Sequence, residues 1–164
     1  MENLLDKLSS YNLFNYLFPG IVFVAIVDSL TAYSFTQENL VLGIFLYYFI
    51  GLIISRIGSI CIEPLLKKVG FLKFSEYKDY IAASQKDQLI PVLSEANNMY
   101  RTLCSMFLCI SLIKLYEHMS PSYPNIVKWT PEILICLLFF LLVASYKKQT
   151  DYITKRVNKA RPEE

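Results

Sequence analysis

The sequence predicts an all-α integral membrane protein: a four-helix bundle of transmembrane segments, both termini cytoplasmic, with a cytoplasmic helical hairpin between the second and third spans. Three observations predict it. The 164-residue chain is 54% hydrophobic and only 18% charged, where soluble proteins carry about a quarter charged residues. Its apolar residues are gathered into blocks that no single soluble core of this size would hide. Its basic residues, finally, fall in alternate connections between the blocks.

A span needs roughly 20 mostly apolar residues to cross about 30 Å of hydrocarbon. The first covers 13–34 and contains Asn15, a Pro19-Gly20 pair expected to kink it, and Asp28. The second covers 40–62, with Arg56 near its end and Glu63-Pro64 closing it. The third, over 99–117, has the shortest uncharged core, Thr102 to Ile113, before Lys114 interrupts. By length alone that core also suits a re-entrant or buried helix. A snorkelling Lys114 lengthens it, and removing it would put the two most basic segments on opposite sides. The fourth covers 129–146, with Pro131 in its first turn, where a missing N–H costs nothing.

Charge orients the chain. Lys67, Lys68, Lys73, Lys78 and Lys86 lie between the second and third blocks, and Lys147, Lys148, Lys155, Arg156, Lys159 and Arg161 follow the fourth. The turn after the first block has no Lys or Arg, and the connection after the third has only Lys128. By the positive-inside rule the loop, the tail and the N-terminus face the cytoplasm, which in a bacterium makes this a multi-pass inner-membrane protein. Tyr116, Tyr123 and Trp129 form the outer aromatic belt, and Tyr11, Tyr100 and Tyr146 the inner one. Glu2 and Asp6 outnumber Lys7, so the first block is expected to remain a span and not a cleaved signal.

Outside the bilayer, residues 1–12 place Leu4, Leu5, Leu8 and Tyr11 on one helical face, the pattern of an interfacial amphipathic helix or of a docking helix for a soluble partner. The loop over 63–98 breaks at Gly70 and resumes as a helix capped by Ser75, with Tyr77 and Tyr80 on one face. Pro91 is expected to kink or end that helix before a second one runs into the third span. Such a hairpin can lie on lipid, close a pore or bind a cytosolic protein. The tail over 147–164 alternates in charge and suits anionic lipid headgroups through Lys147, Lys148 and Arg156.

Ionisable groups inside a bilayer cost about 2.5–3.5 kcal/mol at midspan and normally find partners. Asp28 and Lys114 both fall in the outer part of their spans, which predicts an ion pair between them, within a protomer or across an interface. At the inner side Arg56, Glu63, Glu95 and Arg101 collect, with Arg56 able to reach Glu63 or Glu95. Such charges can lock helix register, relay protons or ions, or snorkel alone. Gly51, Ser55 and Ser59 recur every four residues, with Gly43 two turns earlier, as a close-packing face for a neighbouring helix or a second copy.

No catalytic motif is present: no Gly-x-Ser-x-Gly, no phosphate-binding loop, no His-Glu-x-x-His. Cys61, Cys104, Cys109 and Cys136 form no Cys-x-x-Cys pair and His118 is the one histidine, so neither a metal nor a cofactor is expected. The basic residues hug the membrane, which leaves no case for nucleic acid. The stretches SYNLFNYLFPG, RIGSICIEPLLKK and LSEANNMYRT, together with the layout, resemble the small four-span inner-membrane proteins of bacterial conflict systems. These include the membrane subunit of the Kiwa antiphage system and immunity proteins against pore-forming colicins. The resemblance implies a non-enzymatic, homo-oligomeric sensor or scaffold that holds a cytosolic protein partner through loop and tail. A small channel or pore that depolarises the membrane, and an immunity protein that blocks a toxin in the bilayer, are the competing expectations.

Overall fold

The computed structural model describes residues 12–160. The interfacial helix expected over 1–12 lies outside them apart from Asn12, as does the end of the tail from Arg161 onward. All regular structure among the described residues is helical, and four helices are long and apolar enough to cross a membrane.

Helix α1 (Leu13–Leu30) opens with a π turn over Leu13–Leu17, in which the Phe18 N–H donates to the Leu13 carbonyl, and continues as α-helix through Pro19. Helix α2 (Leu40–Lys68) repeats the device: a π turn over Gly58–Ile62 precedes Pro64. A proline inside a helix gives no N–H and its ring collides with the carbonyl one turn back. A wider turn just before it lets the chain continue. The helix therefore does not stop at Glu63-Pro64 but runs on to Lys68, beyond the apolar stretch that closes at Ile62. Gly70, at φ 76°, then turns the chain.

At the opposite end α1 closes when the Thr31 hydroxyl and N–H both reach the Val27 carbonyl, at 2.8 and 3.0 Å. Asn39 caps α2 by accepting from the N–H groups of Val41 and Leu42. Helix α3 (Tyr77–Lys86) starts two residues after Ser75, with Glu76 in the capping position and no side-chain cap bond. The Asp87 carboxylate accepts the Leu89 N–H and opens α4 (Leu89–Met119). Pro91 sits in the first turn of α4, so it starts a helix where a break was expected.

The short third block is thus the middle of a 31-residue helix, about 46 Å long at 1.5 Å per residue. Helix α5 (Pro124–Ala160) has 37 residues, about 55 Å, which exceeds the roughly 45 Å of a bilayer with its headgroups. It starts at Pro124, so Pro131 lies inside the helix and not in its first turn.

The packed core belongs to three helices. Phe23, Val24 and Val27 of α1, Ile54 of α2, and Met106 and Ile110 of α4 are buried together. Helices α1 and α2 cross at paired glycines: a Cβ on Gly20 would run into the Tyr47 carbonyl, and one on Gly51 into the Tyr16 carbonyl. Small residues allow that approach, and the rings of Tyr16 and Tyr48 meet edge-on beside it at 5.6 Å. No described residue of α5 is buried. Its apolar side chains, Leu137, Phe139 and Phe140 among them, are exposed, as suits a helix bathed in hydrocarbon. It is fastened at its two ends. The Tyr116 hydroxyl meets that of Thr130 at 2.8 Å at one end. Lys148 and Tyr152 hold the other.

Candidate functional site

Three helices leave their apolar runs at one level, and the polar side chains of that level converge. Glu63 of α2, just beyond the π turn, is only 7% exposed. Its Oε2 accepts from Arg101 Nη1 of α4 at 2.7 Å, and its Oε1 from Lys67 Nζ at 2.9 Å. Lys148 Nζ of α5 stands 3.8 Å from the same Oε1. Lys67 is also held over the Phe74 ring at 3.9 Å. A buried carboxylate is tolerated only with such partners.

Lys148 has a second task, set by Pro64. In the π turn the Glu63 N–H donates to the Gly58 carbonyl. The next donor in that register would be residue 64, which is proline, so the Ser59 carbonyl goes without. Lys148 fills the gap, donating to the Ser59 carbonyl at 2.6 Å and to its hydroxyl at 2.8 Å. Helix α5 is thereby tied to a backbone defect in α2.

Deeper in the bundle, the Thr102 hydroxyl bonds Ser55 Oγ at 3.2 Å and the Asn98 carbonyl at 2.9 Å, with both side chains buried. Ser105 donates to the Arg101 carbonyl and crowds Gly58. The residues expected to share one packing face therefore meet three neighbours: Gly51 meets α1, Ser55 meets α4 and Ser59 meets α5. Four residues advance a helix by about 40° beyond a full turn, so the stripe winds round α2. The atoms nearest a Cβ on Gly43 belong to the Tyr47 ring of its own helix.

The pair expected between Asp28 and Lys114 is not formed within the chain. Asp28 is exposed in the last turn of α1, and Lys114 turns to Glu117 at 2.8 Å and to the Leu30 carbonyl at 2.6 Å. Glu117 in turn accepts the Ala32 N–H at 2.7 Å. A lysine on the final carbonyls of α1 closes that helix end, which is what draws Lys114 away from Asp28. At the basic end Arg56 reaches neither Glu63 nor Glu95; among the described residues neither Arg56 nor the exposed Glu95 makes an ion pair.

The Tyr77 and Tyr80 face, expected to meet a partner or lipid, is half-buried against the chain itself, with the Tyr77 ring 6.2 Å from that of Tyr152. The face left open carries Lys78, Asp79, Gln85 and Lys86. Lys147 and Arg156 are exposed, as a headgroup role needs, whereas Lys148 is engaged inward. Sequence reasoning missed the convergence of Lys67 and Lys148 on Glu63, and missed Thr102 and Ser105. The spacing of Glu63 and Lys67, four apart on one helix, was the available signal. A shallow groove of about 200 Å³ between α4 and α5 at the other end is lined mainly by apolar side chains, including Leu112, Met119 and Ile126. No protein family, curated protein or solved structure matches the chain.

Proposed function

We propose that this protein is a non-enzymatic, multi-pass membrane scaffold, its loop and tail cytoplasmic, that presents a helical platform to a soluble protein partner. The observation that carries the reading is that α4 and α5 run on past their apolar stretches at the basic end, with Tyr77 of α3 set against Tyr152 of α5. None of the residues of α3 is buried, and its outward face is a row of charged and amide side chains. That is a surface for polar recognition. The buried Glu63 below it is tied to cations of α2, α4 and α5 and fixes those three helices in register. Assembly into homo-oligomers and a place in bacterial antiphage defence, which the resemblance implies, belong to the same proposal.

The test is co-purification of the tagged full chain with its soluble partner in mild detergent. Reversing the open face by Lys78→Glu and Lys86→Glu should abolish capture while leaving the amount of membrane protein unchanged. Capture that survives the reversal sinks the platform. Growth arrest with loss of membrane potential on overexpression would favour the channel reading instead.

A further inference from the structure

We infer that the Glu63 cluster is one half of a binding site for the phosphate of an anionic phospholipid, seated between α2, α4 and α5. The argument is one of charge and level. Lys67, Arg101 and Lys148 all stand within 4.0 Å of a single carboxylate, Glu63, so two positive charges go unmatched. Arg56 adds a further cation within electrostatic reach of Lys148 and makes no ion pair among the described residues. Cations of like sign gathered at the rim of a low-dielectric region repel one another, and a bound anion relieves that.

The donors are available. Arg101 engages Glu63 through Nη1; its Nε is buried without a partner, and its Nη2, which makes no hydrogen bond among the described residues, is the donor left for an anion. A guanidinium offers five N–H groups in a planar fork suited to phosphate. The Lys67 side chain is 42% exposed and uses one of its donors on Glu63.

The level is that of lipid headgroups. Apolar sequence ends at Ile62 in α2, begins at Thr102 in α4 and ends at Val143 to Tyr146 in α5, and the cations at 67, 101 and 148 lie just beyond. Basic pockets between transmembrane helices at this level take anionic lipid headgroups. Glu63 is then a positioning residue that holds the cations in place without touching lipid. The inference rests on the membrane embedding proposed above but not on a soluble partner, so either can fail alone.

The test is native mass spectrometry of the full chain released from mild detergent, titrated with dioleoyl phosphatidylglycerol, with dioleoyl phosphatidylcholine, and with inorganic phosphate as competitor. One phosphatidylglycerol should be retained at least about fivefold more tightly than phosphatidylcholine, the increment expected of one cation near the surface. Lys67→Gln should lose about that factor, Lys67→Arg should keep it, and Lys73→Gln, at an exposed position in the loop, should leave it unchanged. Equal retention of the two lipids overturns the inference on the unaltered protein alone. So does equal loss in Lys67→Gln and Lys73→Gln, which would mark diffuse surface charge. Displacement of the lipid by millimolar inorganic phosphate would mark a free-anion site and contradict a lipid one.

Discussion

Lys148 places its ammonium 2.6 Å from the carbonyl oxygen of Ser59, opposite the position where Pro64 has no N–H to give. A hydrogen bond from a charged donor to a group that would otherwise go unsatisfied contributes about 1.5–3 kcal/mol. Lys148→Met should therefore destabilise the protein by about 2 kcal/mol. Pro64→Ala restores a backbone donor, so in that background the same substitution should cost about 1 kcal/mol less. A double-mutant cycle on unfolding in micelles checks the coupling, and strict additivity would show that the proline and the lysine are unrelated.

Glu63 is the hub of its cluster, and removing its charge leaves Arg101, Lys67 and Lys148 facing one another. Glu63→Gln should cost about 3 kcal/mol, the scale for breaking a buried pair. Lys67→Gln, at a half-exposed position one turn along the helix, should cost no more than about 0.5 kcal/mol. Melting temperatures of the two variants in one detergent give the comparison; equal losses would mean that Glu63 is solvated.

The glycine crossing predicts a graded series. Gly51→Ala drives a Cβ into the Tyr16 carbonyl, and overpacking of this kind costs about 1–3 kcal/mol. Gly20→Ala should behave alike against the Tyr47 carbonyl. Gly43→Ala has the Tyr47 ring as its nearest neighbour, at 3.4 Å or more, and gains helix propensity of up to about 1 kcal/mol. It should be neutral or mildly stabilising. Stability of all three variants against denaturant ranks them, and a costly Gly43→Ala would contradict the assignment of the crossing.

Asp28 and Lys114 separate in their expected effects. Asp28→Asn should leave yield and stability unchanged, because the side chain is exposed and makes no bond among the described residues. Lys114→Met should loosen the junction of α1 and α4, because it removes bonds to Glu117 and to Leu30. Hydrogen exchange over residues 28–36 reads the difference. Protection lost in Asp28→Asn would restore an ion pair formed across an interface between copies.

The hydrophobic blocks made the four long helices legible from sequence, and Gly70 and Gly51 announced their local roles. What could not be read was which partner each charge selects. Lys114 and Asp28 both fall in the outer part of their spans, but the carbonyl of Leu30 and the carboxylate of Glu117 take the ammonium instead. Lys148 read as one more basic tail residue, because its role depends on a π turn that hydropathy does not encode. The prolines misled for the same reason. Pro64 and Pro91 look like stops, whereas a widened turn and a helix start accommodate them.

The most direct measurement is sidedness. In intact cells expressing a variant lacking its four native cysteines, a membrane-impermeant maleimide is applied to single substitutions Glu38→Cys, Ser75→Cys and Gln149→Cys, all at exposed positions. Four spans with the platform in the cytoplasm predict labelling at residue 38 only, with residues 75 and 149 reacting after the membrane is opened. Labelling of residue 75 or 149 in intact cells would put the platform outside, and the proposed scaffold with it.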